Sequence, residues 1–256
     1  TRVRSSAASD VYKRQILGPE HPNTLMTRHE LARCTGKAGD PASARDQFAA
    51  VLLIRERVLG HGHPHTLAAR NNLARWAGQA GDPAGARDQL ASLLPVRERI
   101  LGPEHPDTLT ARHNLAYWTG QAGDPAGARD QLASLLPVRE RIRGPEHPHT
   151  LMTRHELASW TGQAGDPGGA RDQLAALLPV RERILGPEHP HTLMTRHELA
   201  CCTGRAGDPA GARDQLAALL PVREQVLGPQ HPDTRTTRHD LIYWTRKAGK
   251  ATFDLR

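Results

Sequence analysis

Histidine is the residue type in this chain that most invites chemistry. Fifteen are present, beside three cysteines. Some sit in turns, as in His147-Pro148-His149 and His189-Pro190-His191, and others form a series at His29, His113, His155, His197 and His239. Imidazoles in such numbers suggest metal binding, but zinc requires three or four ligands converging within about 2.0–2.3 Å of the ion. Successive members of the series stand one repeat apart, too far to share an ion, so no metal and no cofactor is expected. Capping or surface roles are expected instead. Catalysis is not expected either. The chain has no phosphate-binding loop, no Gly-x-Ser-x-Gly elbow, and no Cys-His pair that its repeat geometry would bring together. The recurring Asp and Glu either pair with Arg one turn away or sit near helix starts.

The elements that carry these residues repeat every 42 positions. Gly18, Gly60, Gly102, Gly144, Gly186 and Gly228 each open a variant of Gly-Pro-Glu-His-Pro-x-Thr. A period of this size denotes a solenoid, one supersecondary unit stacked on copies of itself. In the repeat beginning at Gly102, His105-Pro106-Asp107-Thr108 is a helix start, with Pro at the first helical position. Leu109, Leu115, Ala116, Trp118 and Ala122 then make one buried stripe, and Gly120 and Gly123 weaken the end of this first helix. Asp124-Pro125 restarts the chain as N-cap and first turn. Ala128, Leu132, Leu135, Leu136, Val138 and Ile142 are the expected inner face of the second helix, which Gly144-Pro145 ends.

Pro95, Pro137, Pro179 and Pro221 fall inside those second helices, where the first repeat has Leu53. An interior Pro costs about 3 kcal/mol, so a kink or a break into two shorter helices is expected at each. Trp76, Trp118, Trp160 and Trp244, with Cys34 and Cys202 in their place elsewhere, are expected to pack between adjacent hairpins.

The expected organisation is five repeats over 16–227, then a terminal half-repeat over 228–256 whose lone helix would shield the last apolar face. Residues 1–15 break the pattern. Asp10-Val11-Tyr12-Lys13-Arg14-Gln15 resembles the in-frame translation of a transposase sequencing adapter, so this segment is read as foreign to the fold and expected to be disordered or an incidental helix. No apolar run is long enough to span a membrane, and no secretory leader is visible. The three cysteines are read as free thiols. A cytoplasmic location is expected on these grounds.

The net charge of +7 suggests nucleic acid. It is unevenly placed, however. Residues 102–143 are neutral and 144–185 and 186–227 carry −1 each, the excess lying toward the two ends. A nucleic-acid binder needs a basic track along its contact face, so none is expected here.

The hairpin resembles the tetratricopeptide repeat in the 42-residue form typified by kinesin light chains. The resemblance rests on the His-Pro-x-Thr opening, on Asn71-Asn72-Leu73-Ala74, on Ala128 followed by Leu132, and on the junction Arg97-Glu98-Arg99-Ile100-Leu101-Gly102-Pro103-Glu104-His105-Pro106. It covers residues 16–248. Two departures stand out: Arg28 and its equivalents occupy the family's usual tryptophan position, and the second-helix prolines are unusual. The resemblance implies an all-α, right-handed superhelix of helical hairpins. Such arrays also resemble the sensor segments of large bacterial signal-transduction ATPases, and the abundant Arg, Ala, Gly and Pro with only four lysines suggests a GC-rich bacterial genome.

By the same resemblance, the side of the first helix opposite Leu115 lines a concave groove. Its first series is His29, Asn71, His113, His155, His197 and His239. The second is Arg33, Arg75, Tyr117, Ser159, Cys201 and Tyr243. Flanking positions also vary, at Met26, Ala68, Thr110, Met152, Met194 and Thr236, and at Glu30, Asn72, Asn114, Glu156, Glu198 and Asp240. Because the repeats are otherwise near copies, this variation points to a peptide or protein segment lying along the track. Neutral change on a solvated face is the competing reading. Two functions follow: a non-catalytic scaffold that captures such a segment, or a sensor or spacer portion of a larger ATPase that self-associates end to end.

Overall fold

The computed structural model describes residues 9–253 apart from 12, 14 and 15, with side chains described through Gly249. Most of the foreign-segment expectation for residues 1–15 therefore lies outside the described residues. From Pro22 onward the described chain forms helices in strict alternation. They are α1 (Pro22–Lys37), α2 (Pro41–Leu59), α3 (Pro64–Gln79), α4 (Pro83–Leu101), α5 (Pro106–Gln121), α6 (Pro125–Arg143), α7 (Pro148–Gln163), α8 (Pro167–Leu185), α9 (Pro190–Arg205), α10 (Pro209–Leu227) and α11 (Pro232–Phe253). Among the described residues there is no strand, and each helix start recurs 42 residues on.

The caps explain this regularity. Each odd-numbered helix from α1 to α9 begins on a histidine whose Nδ1 accepts the backbone N–H two residues on, as in Asp107 N to His105 Nδ1 at 3.2 Å. His231 does the same for Asp233 at the start of α11. Each second helix begins on an aspartate, as in Gly127 N to Asp124 Oδ1 at 2.8 Å. Pro at the first helical position forgoes an N–H that would have no intrahelical partner. The second helices end at glycines with φ near +90°, such as Gly102 at +93°, a left-handed conformation that side chains resist.

The expected breaks at proline do not occur. Pro95, Pro179 and Pro221 each lie inside an unbroken 19-residue helix, and so does Pro137 in α6. Pro95 and Ala91, the residue whose carbonyl loses its partner, are both exposed. Water can satisfy that carbonyl, so the helix continues. Leu53, at the same position in α2, is 70 % exposed.

Two compact units divide the chain between Gln131 and Leu132, within α6. In the first, Ala32, Ala44, Phe48 and Trp76 form one cluster, and Leu67, Ala74, Ala86, Leu90, Leu93 and Trp118 form another. In the second, Ala158, Ala170, Leu174 and Cys202 make one cluster, and Ala200, Ala212, Leu216 and Trp244 the next. Each cluster joins the two helices of one hairpin to the first helix of the following hairpin, so the core is distributed along the chain. The four tryptophans are buried, and Trp76, Trp118 and Trp244 pack between hairpins, as expected. Glycines make room for them: a Cβ on Gly78 would lie 2.5 Å from the Trp118 ring.

The inner face of the second helices differs from expectation at its far end. Ala128, Leu132 and Leu135 are fully buried, Leu136 and Val138 only partly, and Ile142 is exposed. Arg139 is buried in its stead.

Candidate functional site

The buried arginine recurs as Arg55, Arg97, Arg139, Arg181 and Arg223, each at most 4 % exposed. Arg97 shows what it does. From α4 its Nη2 donates to the Leu67 carbonyl on α3 at 2.9 Å, and its Nη1 to the Asp107 carbonyl on α5 at 2.6 Å. Arg181 likewise joins the Leu151 carbonyl to the His191 carbonyl and the Thr195 hydroxyl, and Arg223 joins Leu193 to Asp233 and Thr237. A guanidinium with several donors in a fixed fork suits this bridging of successive first helices. Burial lowers the pKa of these groups, to about 10 for Arg139 and Arg181, which leaves them charged at neutral pH.

Against these arginines lies the face built by the first helices. Its outward series does not run as expected. His113 and His155 are buried, at 7 % and 5 % exposure. His29, Asn71 and His197 are half-buried, and His239 is exposed. Leu115, expected to be central in the core, is only partly buried. The helix phase is thus rotated from the expected one, bringing the first series inward against the second helix. Of the second series, Arg75, Tyr117 and Tyr243 are exposed, Arg33 and Ser159 half-buried, and Cys201 buried.

Members of the series meet across successive hairpins. In the first unit, Asn72 Nδ2 stands 3.4 Å from His29 Nε2, while Arg55 Nη1 stands 3.1 Å from its Nδ1. Asn114 donates to the Asn71 side chain at 3.3 Å. In the second unit, His155 Nε2 lies 3.5 Å from Glu198 and His197 Nε2 lies 3.1 Å from Asp240. Burial, then Arg55, pushes the pKa of His29 down to about 4. Burial and then Arg181 push His155 down to about 3, although the Glu198 carboxylate faces it. These histidines are neutral hydrogen-bonding groups at physiological pH.

Two cavities open on this face. One, of about 440 Å³, is lined by Leu25, Met26, His29 and Glu30 of α1, Arg55, Val58 and Leu59 of α2, and His65 and Ala68 of α3, with Glu20, Pro22 and His63 at its edge. The other, of about 260 Å³, is lined by Pro148, Leu151, Met152, Arg181, Leu185, His189 and His191. Every residue of the second lies three repeats on from a residue lining the first. Sequence reasoning placed Met26, Met152 and His29 on this face. It missed the second-helix contribution of Arg55, Val58 and Leu59. The signal was present: Ala86, Leu90, Leu93 and Arg97 share one helical stripe, so the arginine continues the buried side.

Among the described residues no helix is long and apolar enough to cross a membrane. The three cysteines are free thiols.

The tetratricopeptide repeat family matches residues 32–99, 108–149, 150–191 and 192–233. A search of curated proteins returns no match. Solved structures do match. A kinesin light chain-like protein of nearly identical TPR-like repeats from Podosopora anserina is 28% identical, with a TM-score of 0.69 over 80% of this chain and 97% of that one. BtubC (BKLC) from P. vanneervenii is 18% identical, with a TM-score of 0.71 over 90% of this chain and 92% of that one. NprR in complex with its cognate peptide NprX is 11% identical, with a TM-score of 0.63 over 99% of this chain and 69% of that one. With its hairpins, its register and most of its length accounted for in this way, the chain belongs to the tetratricopeptide repeat family.

Proposed function

We propose that this chain is a non-catalytic scaffold that holds an extended peptide or protein segment against the face of its first helices. The observation that carries the reading is the cavity bounded by Leu25, Met26, Val58, Leu59 and Ala68, repeated at equivalent positions three repeats later. Each is lined mainly by apolar side chains, with imidazoles and one buried guanidinium among them, the composition of a pocket that anchors one large apolar side chain. All three methionines, Met26, Met152 and Met194, occupy the same position of the repeat, and Met26 is 57 % exposed. Methionine is a soft lining that adapts to different side chains. NprR, which shares the fold, has been solved with a bound peptide, and this supports the reading. The groove residues then divide by role. His29 lines the first cavity, with Asn72 against its ring and Arg33 paired to Glu30 beside it. Asn71, Asn114, Arg75 and Tyr117 offer side-chain amides, a charge and a ring to a backbone in the first unit. Ser159, Tyr243 and His239 do so in the second. His113, His155 and His197 shape the face from beneath.

Selection from a displayed random-peptide library tests this. Enriched peptides should carry a large apolar residue, and Ala68→Phe, which fills the first cavity, should weaken their binding at least tenfold. Its stability should stay within about 1–3 kcal/mol of the parent. Failure to enrich any peptide above scrambled controls, or binding indifferent to both Ala68→Phe and Met152→Trp in the second cavity, overturns the reading. Reversible association in light scattering without peptide enrichment would instead favour the self-associating spacer.

A further inference from the structure

The second series contains one thiol on a buried side chain, and the residues around it converge. His197 and Cys201 are one helical turn apart on α9, and Asp240 reaches them from α11. Their donor atoms all lie within 4.8 Å of one another. His197 Nε2 is 3.1 Å and Cys201 Sγ 3.7 Å from the same Asp240 oxygen. Around tetrahedral zinc, with bonds of about 2.0–2.3 Å, donor–donor edges are about 3.3–3.7 Å. The sulfur–oxygen edge already fits, the nitrogen–oxygen edge falls slightly short of that range, and the third closes with a side-chain movement of about 1 Å. His197 Nε2 is shielded from solvent, and its 3.1 Å contact with Asp240 is the one an ion would replace.

We propose that His197, Cys201 and Asp240 bind one zinc-class divalent ion, with water completing the tetrahedron. Imidazole, thiolate and carboxylate together suit zinc rather than magnesium or calcium, which take oxygen ligands. Charge also balances. The thiolate and carboxylate neutralise the ion, so the filled site carries no net charge; the empty site carries the Asp240 charge alone, so binding with loss of one proton raises the local charge by one beside the buried Arg223. The thiol must give up its proton to become a ligand, so the ion displaces it. Binding thus forms the sulfur–metal bond and releases one proton to solvent. An opening lined by Arg205, His239 and Tyr243 gives the ion a path in, and His239 Nδ1, 3.2 Å from the other Asp240 oxygen, steadies the carboxylate from outside. Successive histidines remain too far apart to share an ion; the ligands come instead from three different series. The preceding rung provides a comparison, because His155 and Glu198 face each other there and Ser159 stands at the position equivalent to Cys201.

The test uses the full chain, tag removed and cysteines reduced, titrated with Co²⁺ and then Zn²⁺. One ion per chain should bind, with a thiolate-to-cobalt charge-transfer band and release of one proton. Cys201→Ser should abolish the band and weaken zinc binding more than the roughly 10–100-fold that follows loss of a ligand's supporting partner. Serine already occupies position 159, so this variant is expected to fold, and circular dichroism checks it. Cys202→Ser and Cys34→Ser should leave binding intact. No stoichiometric zinc binding by the parent chain overturns the proposal. So does binding that survives Cys201→Ser, or that disappears only when His189 and His191 are replaced by Asn.

Discussion

Replacing Arg97 separates a structural arginine from a surface one two residues away. Arg97 is 4 % exposed and donates to the carbonyls of Leu67 and Asp107, whereas Arg99 is exposed. In Arg97→Ala two carbonyls lose a buried donor. Each keeps its helical bond, so its cost sits near the lower end of the usual range, about 1 kcal/mol. Loss of the buried aliphatic stem adds about 2 kcal/mol at roughly 0.8 kcal/mol per methylene. Some of this is offset. Burial lowers the Arg97 pKa and its Nε has no partner, so removing the charge relieves a desolvation cost on the order of 1 kcal/mol. The expected net loss is about 2–4 kcal/mol. Arg97→Met, which retains most of the stem, should lose about 1–2 kcal/mol, and Arg99→Ala no more than about 0.5 kcal/mol. Equilibrium urea unfolding followed by circular dichroism measures all three. If Arg97→Ala unfolds at the midpoint of the parent chain, or Arg99→Ala is the more damaging of the two, the bridging role assigned to the buried arginines is refuted.

The other expectations follow from single contacts. Gly78→Ala places a methyl 2.5 Å from the Trp118 ring and should cost about 1–3 kcal/mol by overpacking. Gly162→Ala should cost less, because its nearest neighbours, Ala170 Cβ at 3.1 Å and Cys202 Sγ at 3.6 Å, are smaller; thermal unfolding that ranks the two the other way contradicts the packing described. His29 has its pKa lowered from 6.5 to about 4, so the unfolded chain takes up this proton before the folded one does. Its contribution is complete above pH 6.5 and is lost as pH falls toward 4, by at most about 1.4 kcal/mol per pH unit, and His29→Gln should flatten that part of the urea-midpoint profile. Asp82→Ala removes the 2.8 Å cap on Gly85 N and should cost about 1 kcal/mol; an unchanged urea midpoint would deny the cap its role.

What the sequence made legible was whatever depends on local chemistry repeated at a fixed interval. His-Pro and Asp-Pro mark helix starts because a side-chain acceptor and a missing N–H act within one turn, and every described helix from Pro22 starts where they fall. The tryptophan positions were legible for a similar reason, since a large ring alternating with cysteine in otherwise copied hairpins needs a buried slot. The phase of the first helix was not. Leu115 was taken as central because it is apolar, but Ala111 and Ala116 are fully buried and Leu115 is not. The small residues face the crowded side, where the second helix approaches, and the larger leucine is left near the margin. That choice pushed His113 and His155 outward on paper, while in the fold both are buried, His155 beside Arg181. Arg97 and its equivalents were hidden by the same habit of reading charge as exposure, although their spacing from Leu93 and Leu90 continues the inner stripe. The prolines show the converse error. A residue costly in an isolated helix was expected to kink or break it, and no break occurs, because on the solvated side the freed carbonyl has water and the cost falls below what the hairpin gains by staying continuous. In each case the missing information was which side of a helix its neighbour occupies. A sequence of near-identical repeats cannot vary enough to reveal that side, because each copy imposes the same packing on the next.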